Sequence, residues 1–217
     1  MSNLRSDNRI EIKYLSDEKS SHKILQQINS SKYQFKLHHP DRLVNSIYFD
    51  TPQTKELTNS VEGNFKKRKF RFRFYGSEVN NEEIAGQWEV KEKIGNLTNK
   101  LTYFETVSID WLNSDNLVSF LSSHDEVNFM KNIYPIKSNS ISYMRNYFIS
   151  DIYKEEFRLT IDSETDPILP MLRKRKVNSN RRYKIIEIKI SKNLYDTVKF
   201  QNIFELPRVG FSKYVET

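Results

Sequence analysis

Cysteine is absent from the 217 residues, which excludes disulfide bridges and thiolate metal sites. Glycine is scarce, with five residues, and no linker or low-complexity segment divides the chain. No apolar run reaches the ~18 residues of a membrane-spanning helix, and the N-terminal residues lack the apolar core of a secretory signal. We therefore expect a single cytoplasmic domain over residues 1–217, and docking on a membrane through a partner protein remains open.

Several motifs of common enzymes are also missing. No G-x-x-x-x-G-K-[ST] sequence is present, which excludes a P-loop, and no G-x-S-x-G sequence provides a hydrolase nucleophile. The four histidines are not spaced as a metal-binding set. Any catalysis must therefore depend on other side chains.

Positive charge is plentiful by contrast. The chain has 35 lysines and arginines against 28 acidic residues, a net charge of +7, so its partners are expected to be anionic. The densest stretch is KKRKFRFRFYG, residues 66–76, in which cations alternate with phenylalanines. In a strand, that alternation sends the cations to one face and the phenylalanines to the other.

The same period-two pattern predicts β-structure through most of the chain. Eight strands are predicted, at residues 8–15, 42–50, 66–75, 85–93, 100–109, 140–150, 155–163 and 182–191. Helices are predicted at residues 16–28, 51–61, 114–123 and 193–204, with Pro52 in the first turn of the second. The fold class is therefore α+β.

In six of these strands one face is apolar and the other is largely ionised. The ionised faces carry eleven cations and five acids, an excess of six positive charges. The cations are Arg9, Lys13, Lys67, Lys69, Arg71, Arg73, Lys91, Lys93, Arg145, Arg158 and Lys189, and the acids are Glu11, Glu89, Glu156, Asp162 and Glu187. Either these faces are solvated and the charges pair across strands, or the sheet closes into a barrel with the charges inside.

The barrel alternative has a chemical requirement. Unpaired cations in an interior of reduced dielectric repel one another strongly, so such a lumen requires a polyanion with a metal ion. Nucleic-acid binding is disfavoured, because a base-stacking platform needs aromatic rings and cations on the same face. In residues 66–75 the two kinds of side chain alternate onto opposite faces.

Seven short motifs, taken in order, resemble one known family. They are RIEIKY (9–14), SIYFDT (46–51), KRKFRFRFYG (67–76), WEVKEK (88–93), RLTID (158–162), IEIKI (186–190) and FSKY (211–214). This series is similar to the VTC branch of the triphosphate tunnel metalloenzymes, which includes the polyphosphate polymerase domain of the vacuolar transporter chaperone complex. The resemblance implies an eight-stranded closed antiparallel β-barrel, the triphosphate tunnel, with helices packed outside.

The resemblance also implies roles for individual residues. The catalytic residues would be Lys13, Arg71, Arg73, Lys91 and Arg158, and further phosphate contacts would come from Lys69, Arg145, Lys189, Ser212 and Lys213. Glu187, assisted by Glu11, would bind a divalent metal, Mn²⁺ or Mg²⁺.

Two positions depart from the family pattern. Arg9 stands where the wider superfamily has its first glutamate, which favours the polymerase branch and removes one metal ligand. Gly210 stands where members of the branch often carry a lysine, and Arg208 is the nearest replacement.

The resemblance makes ATP and polyphosphate or triphosphate the expected ligands. The leading hypothesis is an enzyme that transfers the γ-phosphate of ATP to a growing polyphosphate chain. A metal-dependent tripolyphosphatase and a non-catalytic module that binds polyphosphate or nucleotide remain alternatives.

Overall fold

Eight strands and three helices of six to nine residues are defined in the computed structural model, which describes residues 9–17, 20–76, 83–95, 97–110, 121–122, 125, 136–165 and 183–210. The strands are β1 (Arg9–Asp17), β2 (Phe35–Asp50), β3 (Lys66–Tyr75), β4 (Glu83–Ile94), β5 (Leu97–Ser108), β6 (Ile136–Ser150), β7 (Lys154–Thr165) and β8 (Tyr183–Ser191). The helices are α1 (Ser21–Asn29), α2 (Lys55–Val61) and α3 (Lys192–Thr197). The α+β class and all eight predicted strands are confirmed.

The strands form one antiparallel sheet in the order β1-β8-β7-β6-β2-β3-β4-β5. Closure of this sheet into a barrel is not confirmed, because no ladder joins β1 to β5 within the described ranges. A later part of the chain contacts the outer edge of β1. The amide of Val209 donates to the carbonyl of Lys13 at 2.9 Å, and Arg208 forms an isolated bridge with Tyr14.

The sheet is nevertheless strongly curled. The Lys91 ammonium on β4 lies 3.5 Å from a carboxylate oxygen of Glu11 on β1, although five strands separate these two in the sheet order. The face that carries these two side chains is therefore concave. The ionised strand faces identified in the sequence therefore form the inner surface of a curved sheet. Twist of this kind is intrinsic to large antiparallel sheets.

The convex face carries the apolar core in two clusters. One lies on β2 to β5 and contains Ile47, Phe49, Phe70, Phe72, Phe74, Ile84, Trp88, Val90, Val107 and Leu121. The other lies mainly on β1, β6, β7 and β8, and includes Ile24 and Ile28 of α1 and Leu194 of α3. These two helices pack outside the curled sheet, as predicted.

Helix α2 departs from that arrangement. Its Leu57 packs against a small apolar cluster on the concave side, formed by Val44, Tyr48, Ile141 and Tyr143. Tyr48 stands opposite Arg71 in the β2–β3 register. Helix α2 therefore lies over the part of the concave face next to Tyr48.

Several predicted boundaries are shifted. β2 begins at Phe35 rather than at residue 42, and register shifts between Leu37 and Arg42 let the strand pass through Pro40. Helix α1 begins at Ser21 rather than at residue 16, because Ser16 continues β1 opposite Lys184.

The helix predicted at residues 193–204 ends at Thr197. Lys199 has φ 44°, which a helix does not allow, and the Phe200 ring stacks on Tyr33 with centroids 5.8 Å apart. Most of the helix predicted at residues 114–123 lies outside the described residues. Among the helices that the structure defines, none is both long and apolar enough to cross a membrane.

A buried carboxylate fixes the position of α2. Asp50 Oδ1 accepts hydrogen bonds from the amides of Thr51 at 2.7 Å and Glu56 at 2.9 Å, and Oδ2 accepts from Leu57 at 2.9 Å. Thr51 Oγ1 accepts from the Lys55 amide at 3.0 Å. The DT end of the SIYFDT motif therefore caps α2 from outside, and the helix begins three residues after Pro52 rather than at it.

We predict that Asp50→Ala lowers the free energy of unfolding by about 2 kcal/mol, because three amides lose a charged acceptor in a buried place. Urea unfolding measures this loss. Asp41→Ala, at an exposed position of the same strand, is the control and should change the free energy by less than about 0.5 kcal/mol. Equal losses in the two variants would contradict the capping role.

Candidate functional site

The predicted site residues that the structure describes lie on the concave face of the sheet. The register places them there strand by strand: Glu11 and Lys13 on β1, Lys69, Arg71 and Arg73 on β3, Lys91 on β4, Arg145 on β6, Arg158 on β7, and Glu187 and Lys189 on β8. Ser212 and Lys213 lie outside the described residues. The charged half of the sequence pattern thus converges on a single surface.

The first charged group surrounds Glu89, whose side chain is only 2% exposed. The Arg71 guanidinium donates to Oε2, Lys100 Nζ donates to Oε1 at 2.7 Å, and Arg73 NH1 lies 3.7 Å from Oε2. Gln87 Nε2 also donates to Oε1 at 2.9 Å. Burial alone would raise the pKa of Glu89, but the three cations hold it well below its usual range.

Tyrosines complete this group on the β2 and β6 side. Arg71 NH1 donates to the Tyr48 hydroxyl at 2.9 Å, and Arg73 NH2 donates to the Tyr143 hydroxyl at 3.4 Å. Both guanidinium groups are therefore held in fixed orientations, with little freedom to lose when an anion binds.

The second charged group pairs Arg145 with Asp162 on the neighbouring strand. Arg145 donates twice to the Asp162 carboxylate, from Nε at 2.5 Å and from NH2 at 2.7 Å, and Asp162 is 1% exposed. Burial opposes the charge of Arg145, but the Asp162 carboxylate raises its pKa well above the usual value. This bidentate pair directs the remaining guanidinium nitrogen of Arg145 away from Asp162.

The third group contains both predicted metal ligands. Lys189 Nζ lies 3.2 Å from Glu187 Oε1 and 3.6 Å from Glu11 Oε1, so one ammonium bridges the two carboxylates. Lys13 lies 3.7 Å from Glu187, and Lys91 lies 3.5 Å from Glu11. Burial and Glu187 act to raise the pKa of Glu11, but the three lysines lower it overall.

The two carboxylates can be tested as a metal site. Within the described ranges no cluster of three or more histidine, cysteine, aspartate or glutamate side chains is present. Mg²⁺ and Mn²⁺ do not require one, because they are commonly held by one or two carboxylates together with phosphate oxygens and water. Glu11 and Glu187 fit that kind of site, since Lys189 already places a positive charge between them.

Lys69 lies where cations from several strands crowd together. Burial lowers its pKa to about 8, and Lys13 on β1, Lys91 on β4 and its neighbours on β3 act in the same direction. The influence of Lys13 from the far end of the sheet order again shows the curl of the sheet. An anion in this place would relieve the repulsion.

Sequence reasoning gave no site role to Glu89, Asp162, Lys100, Tyr48 or Tyr143. Glu89 and Asp162 were recognised as acids on charged faces, but their partners follow from the register, in which Glu89 stands opposite Arg71 and Asp162 opposite Arg145. Two arginines between phenylalanines require a buried acid nearby to offset their charge. Assigning β4 as the neighbour of β3 would have identified Glu89 as that acid.

Arg208 does not replace the lysine that is missing at Gly210. Its guanidinium donates to Asn202 Oδ1 at 2.6 Å and lies 5.7 Å from the centre of the Phe200 ring. Asn202 also accepts from Tyr14, which belongs to the core on the convex face. The expected replacement is wrong, because these contacts hold Arg208 on the opposite side of β1 from Lys13.

We predict that Glu89→Gln lowers the free energy of unfolding by about 3 kcal/mol, because two arginines and Lys100 lose the charge that compensates them. The same variant should gain more thermal stability from tripolyphosphate than the wild type, since the anion supplies the missing negative charge. Calorimetry with and without tripolyphosphate measures both effects. Glu92→Gln, which removes a more exposed carboxylate beside Arg68 and Lys66, is the matched control and should lose under about 1 kcal/mol.

Lys69 gives a pH-dependent prediction. Its folded-state pKa of about 8 lies below the ordinary value of 10.5, so its charge destabilises the folded protein in full below pH 8. That penalty is relieved as the pH rises from 8 towards 10.5. The wild type should therefore gain free energy of unfolding relative to Lys69→Met as urea unfolding is repeated from pH 7 to about 9.5.

Lys93→Met removes a cation from an exposed position on the neighbouring strand and serves as the control for the Lys69 comparison. A difference between wild type and Lys69→Met that stays constant over this pH range would show that Lys69 is not crowded by other cations.

Comparison with known proteins gives a family and several distant structural likenesses, of which two are described. A candidate adenylate cyclase from Vibrio parahaemolyticus is similar at 13% identity and a TM-score of 0.44, covering 90% of this chain and 83% of that one. The Schizosaccharomyces pombe Mediator head module is similar at 7% identity and a TM-score of 0.47, covering 88% of this chain and 92% of that one. No curated protein sequence matches the chain significantly. The family model described as VTC domain matches residues 8–217, and the chain therefore belongs to the VTC domain family.

Proposed function

We propose that this chain is a metal-dependent phosphotransferase that extends polyphosphate with the γ-phosphate of ATP. The observation that carries the proposal is the convergence of eight predicted phosphate-binding cations and two carboxylates on one concave face. The cations are Lys13, Lys69, Arg71, Arg73, Lys91, Arg145, Arg158 and Lys189. Membership of the VTC domain family supports the same reading, and a tunnel that encloses the phosphate chain is part of the proposal.

The cations divide by chemistry. Arg71 and Arg73 are oriented by Glu89 and by tyrosine hydroxyls, so they suit directional contacts to phosphate oxygens. Lys13, Lys69 and Lys91 act as compact charges that neutralise successive phosphate units. Arg158 NH1 lies 3.4 Å from Glu155, and its position opposite Lys189 suits a contact at the edge of the same face.

Binding exchanges ion pairs rather than filling an uncharged cavity. Lys13, Lys91 and Lys189 already contact Glu11 and Glu187, and a phosphate chain would share or replace these contacts. The polyanion therefore meets side chains that are partly buried and positioned in advance, which lowers the cost of reorganisation.

Glu187 and Glu11 would hold the divalent metal. When bound, the metal neutralises charge on the phosphate oxygens and keeps several water ligands. This chain would supply the two carboxylates and the Lys189 ammonium, which lies between them as a counter-charge.

The transfer step is a simple exchange of P–O bonds. A terminal oxygen of polyphosphate forms a bond to the γ-phosphorus, the bond between this phosphorus and the β,γ-bridging oxygen breaks, and ADP leaves with that electron pair. The acceptor oxygen is already anionic, so no general base is needed. Arg71, Arg73 and the lysines contribute by aligning donor and acceptor and by stabilising the spread negative charge.

Incubation of the purified chain with ATP and Mn²⁺, followed by sizing of the phosphate products, tests the proposal. We expect long polyphosphate and an equivalent amount of ADP. Free phosphate would instead select a tripolyphosphatase, and tight binding without turnover would select a non-catalytic module.

Two variants make the test specific for the metal site. Glu187→Gln should reduce Mn²⁺-dependent turnover at least about a hundredfold while leaving the fold intact, because a ligand carboxylate is lost. Glu205→Gln, an exposed carboxylate that contacts only Lys23 among the ion pairs described, should keep the wild-type rate. Unchanged turnover by Glu187→Gln at limiting Mn²⁺ would remove Glu187 from the metal site.

A further inference from the structure

A cluster of aromatic and cationic side chains lies beside the phosphate-binding residues. His39, Arg42, Tyr75 and Tyr147 form this rim cluster. The Arg42 guanidinium carbon lies 5.9 Å from the ring centres of both Tyr75 and Tyr147, and the His39 ring meets the Tyr147 ring at 5.7 Å and 79°. Three strands, β2, β3 and β6, contribute to it.

The rim cluster remains accessible to solvent. Tyr75 is 44% exposed, and both His39 and Arg42 are exposed. Tyr75 belongs to the concave face, because it continues the alternation that places Arg71 and Arg73 there. An exposed ring beside an exposed guanidinium offers two flat surfaces for a planar ligand.

The rim cluster is connected to the arginines of the phosphate site. Arg145 lies 6.0 Å from the Tyr147 ring centre and 5.2 Å from that of Tyr143, and the Tyr143 hydroxyl accepts from Arg73. A ligand whose flat group stacks at Tyr75 and Arg42 would therefore direct its phosphates towards Arg145 and Arg73.

Structural packing alone accounts for only part of this arrangement. Arg42 stands opposite Arg145 in the β2–β6 register, and two adjacent cations destabilise a sheet unless other groups offset their repulsion. Asp162 pairs with Arg145, and the Tyr147 ring lies between the two guanidinium groups, so the repulsion is offset without the exposed side of Tyr75. The open ring surface is what points to a ligand.

We propose that the rim cluster binds the nucleobase of a nucleoside triphosphate, whose triphosphate enters the concave face. The inference rests on the proposed function and deepens it. It makes a nucleotide, rather than an inorganic triphosphate, the preferred phosphate donor. Purines should bind better than pyrimidines, since they offer a larger surface for stacking.

The test compares three probes by calorimetric titration in EDTA, so that no turnover occurs: ATP, ribose 5-triphosphate and inorganic tripolyphosphate. All titrations use one salt concentration, because phosphate binding is strongly screened. We expect the wild type to bind ATP about tenfold more tightly than ribose 5-triphosphate, the effect of stacking one base.

Tyr75→Leu and Arg42→Met should each bring that ratio close to one, while Tyr75→Phe retains it because the ring is kept. The ratio is the readout, since loss of the Arg42 charge also weakens phosphate binding in general. Phe65→Leu is the matched control: Phe65 is 74% exposed and precedes the opposite end of β3. It should leave the ratio unchanged.

A wild-type ratio near one, or a ratio that neither variant changes, would overturn the nucleobase site and leave triphosphate binding standing. Failure of all three probes to bind, both in EDTA and with Mn²⁺ present, would overturn the proposed function together with the nucleobase site. Retained tripolyphosphate binding by Tyr75→Leu and Arg42→Met shows that the variants are folded.

Discussion

A buried carboxylate holds the most cationic part of the sheet together. Glu89 on β4 stands between Arg71 and Arg73 of β3 and Lys100 of β5, and these cations would repel one another without it. Because the carboxylate is almost fully removed from water, its charge is felt strongly by all three cations. The arrangement explains part of KKRKFRFRFYG: the phenylalanines anchor the strand to the core, and Glu89 offsets the repulsion between Arg71 and Arg73.

The other acids repeat this principle around the concave face. Asp162 neutralises Arg145, and Glu11 and Glu187 share Lys189 between them. The face is thus a lattice of ion pairs with a remaining positive excess, not a bare cationic channel. Without a ligand, the carboxylates offset the repulsion between the cations. A polyanion can still bind, because its phosphates can replace these carboxylates as partners of the cations.

The sequence predicted the parts of this structure that depend on local alternation. Phe70 and Arg71 must lie on opposite faces of any strand, so face and composition were predictable without the register. Features that depend on the pairing of strands were not predictable. Glu89, for example, contacts the arginines only because β4 lies beside β3. The start of α2 was missed because the Asp50 side chain accepts from the amide of Glu56, six residues later. Closure of the sheet depends on pairing between its two outer strands and stays a prediction.

The pairing of β1 has a consequence for the order in which the molecule folds. β1 is hydrogen-bonded to β8 and touches the segment at Arg208 and Val209, so its partners lie some 170 to 200 residues later in the chain. Contacts of such separation form late, since the closure of long loops must be offset first. During synthesis, the strands from β2 onwards can pair with one another before β8, the partner of β1, has been made. Lys13 therefore meets Glu187 only after β8 has been made, whereas Arg71, Arg73 and Glu89 can come together earlier on the adjacent strands β3 and β4.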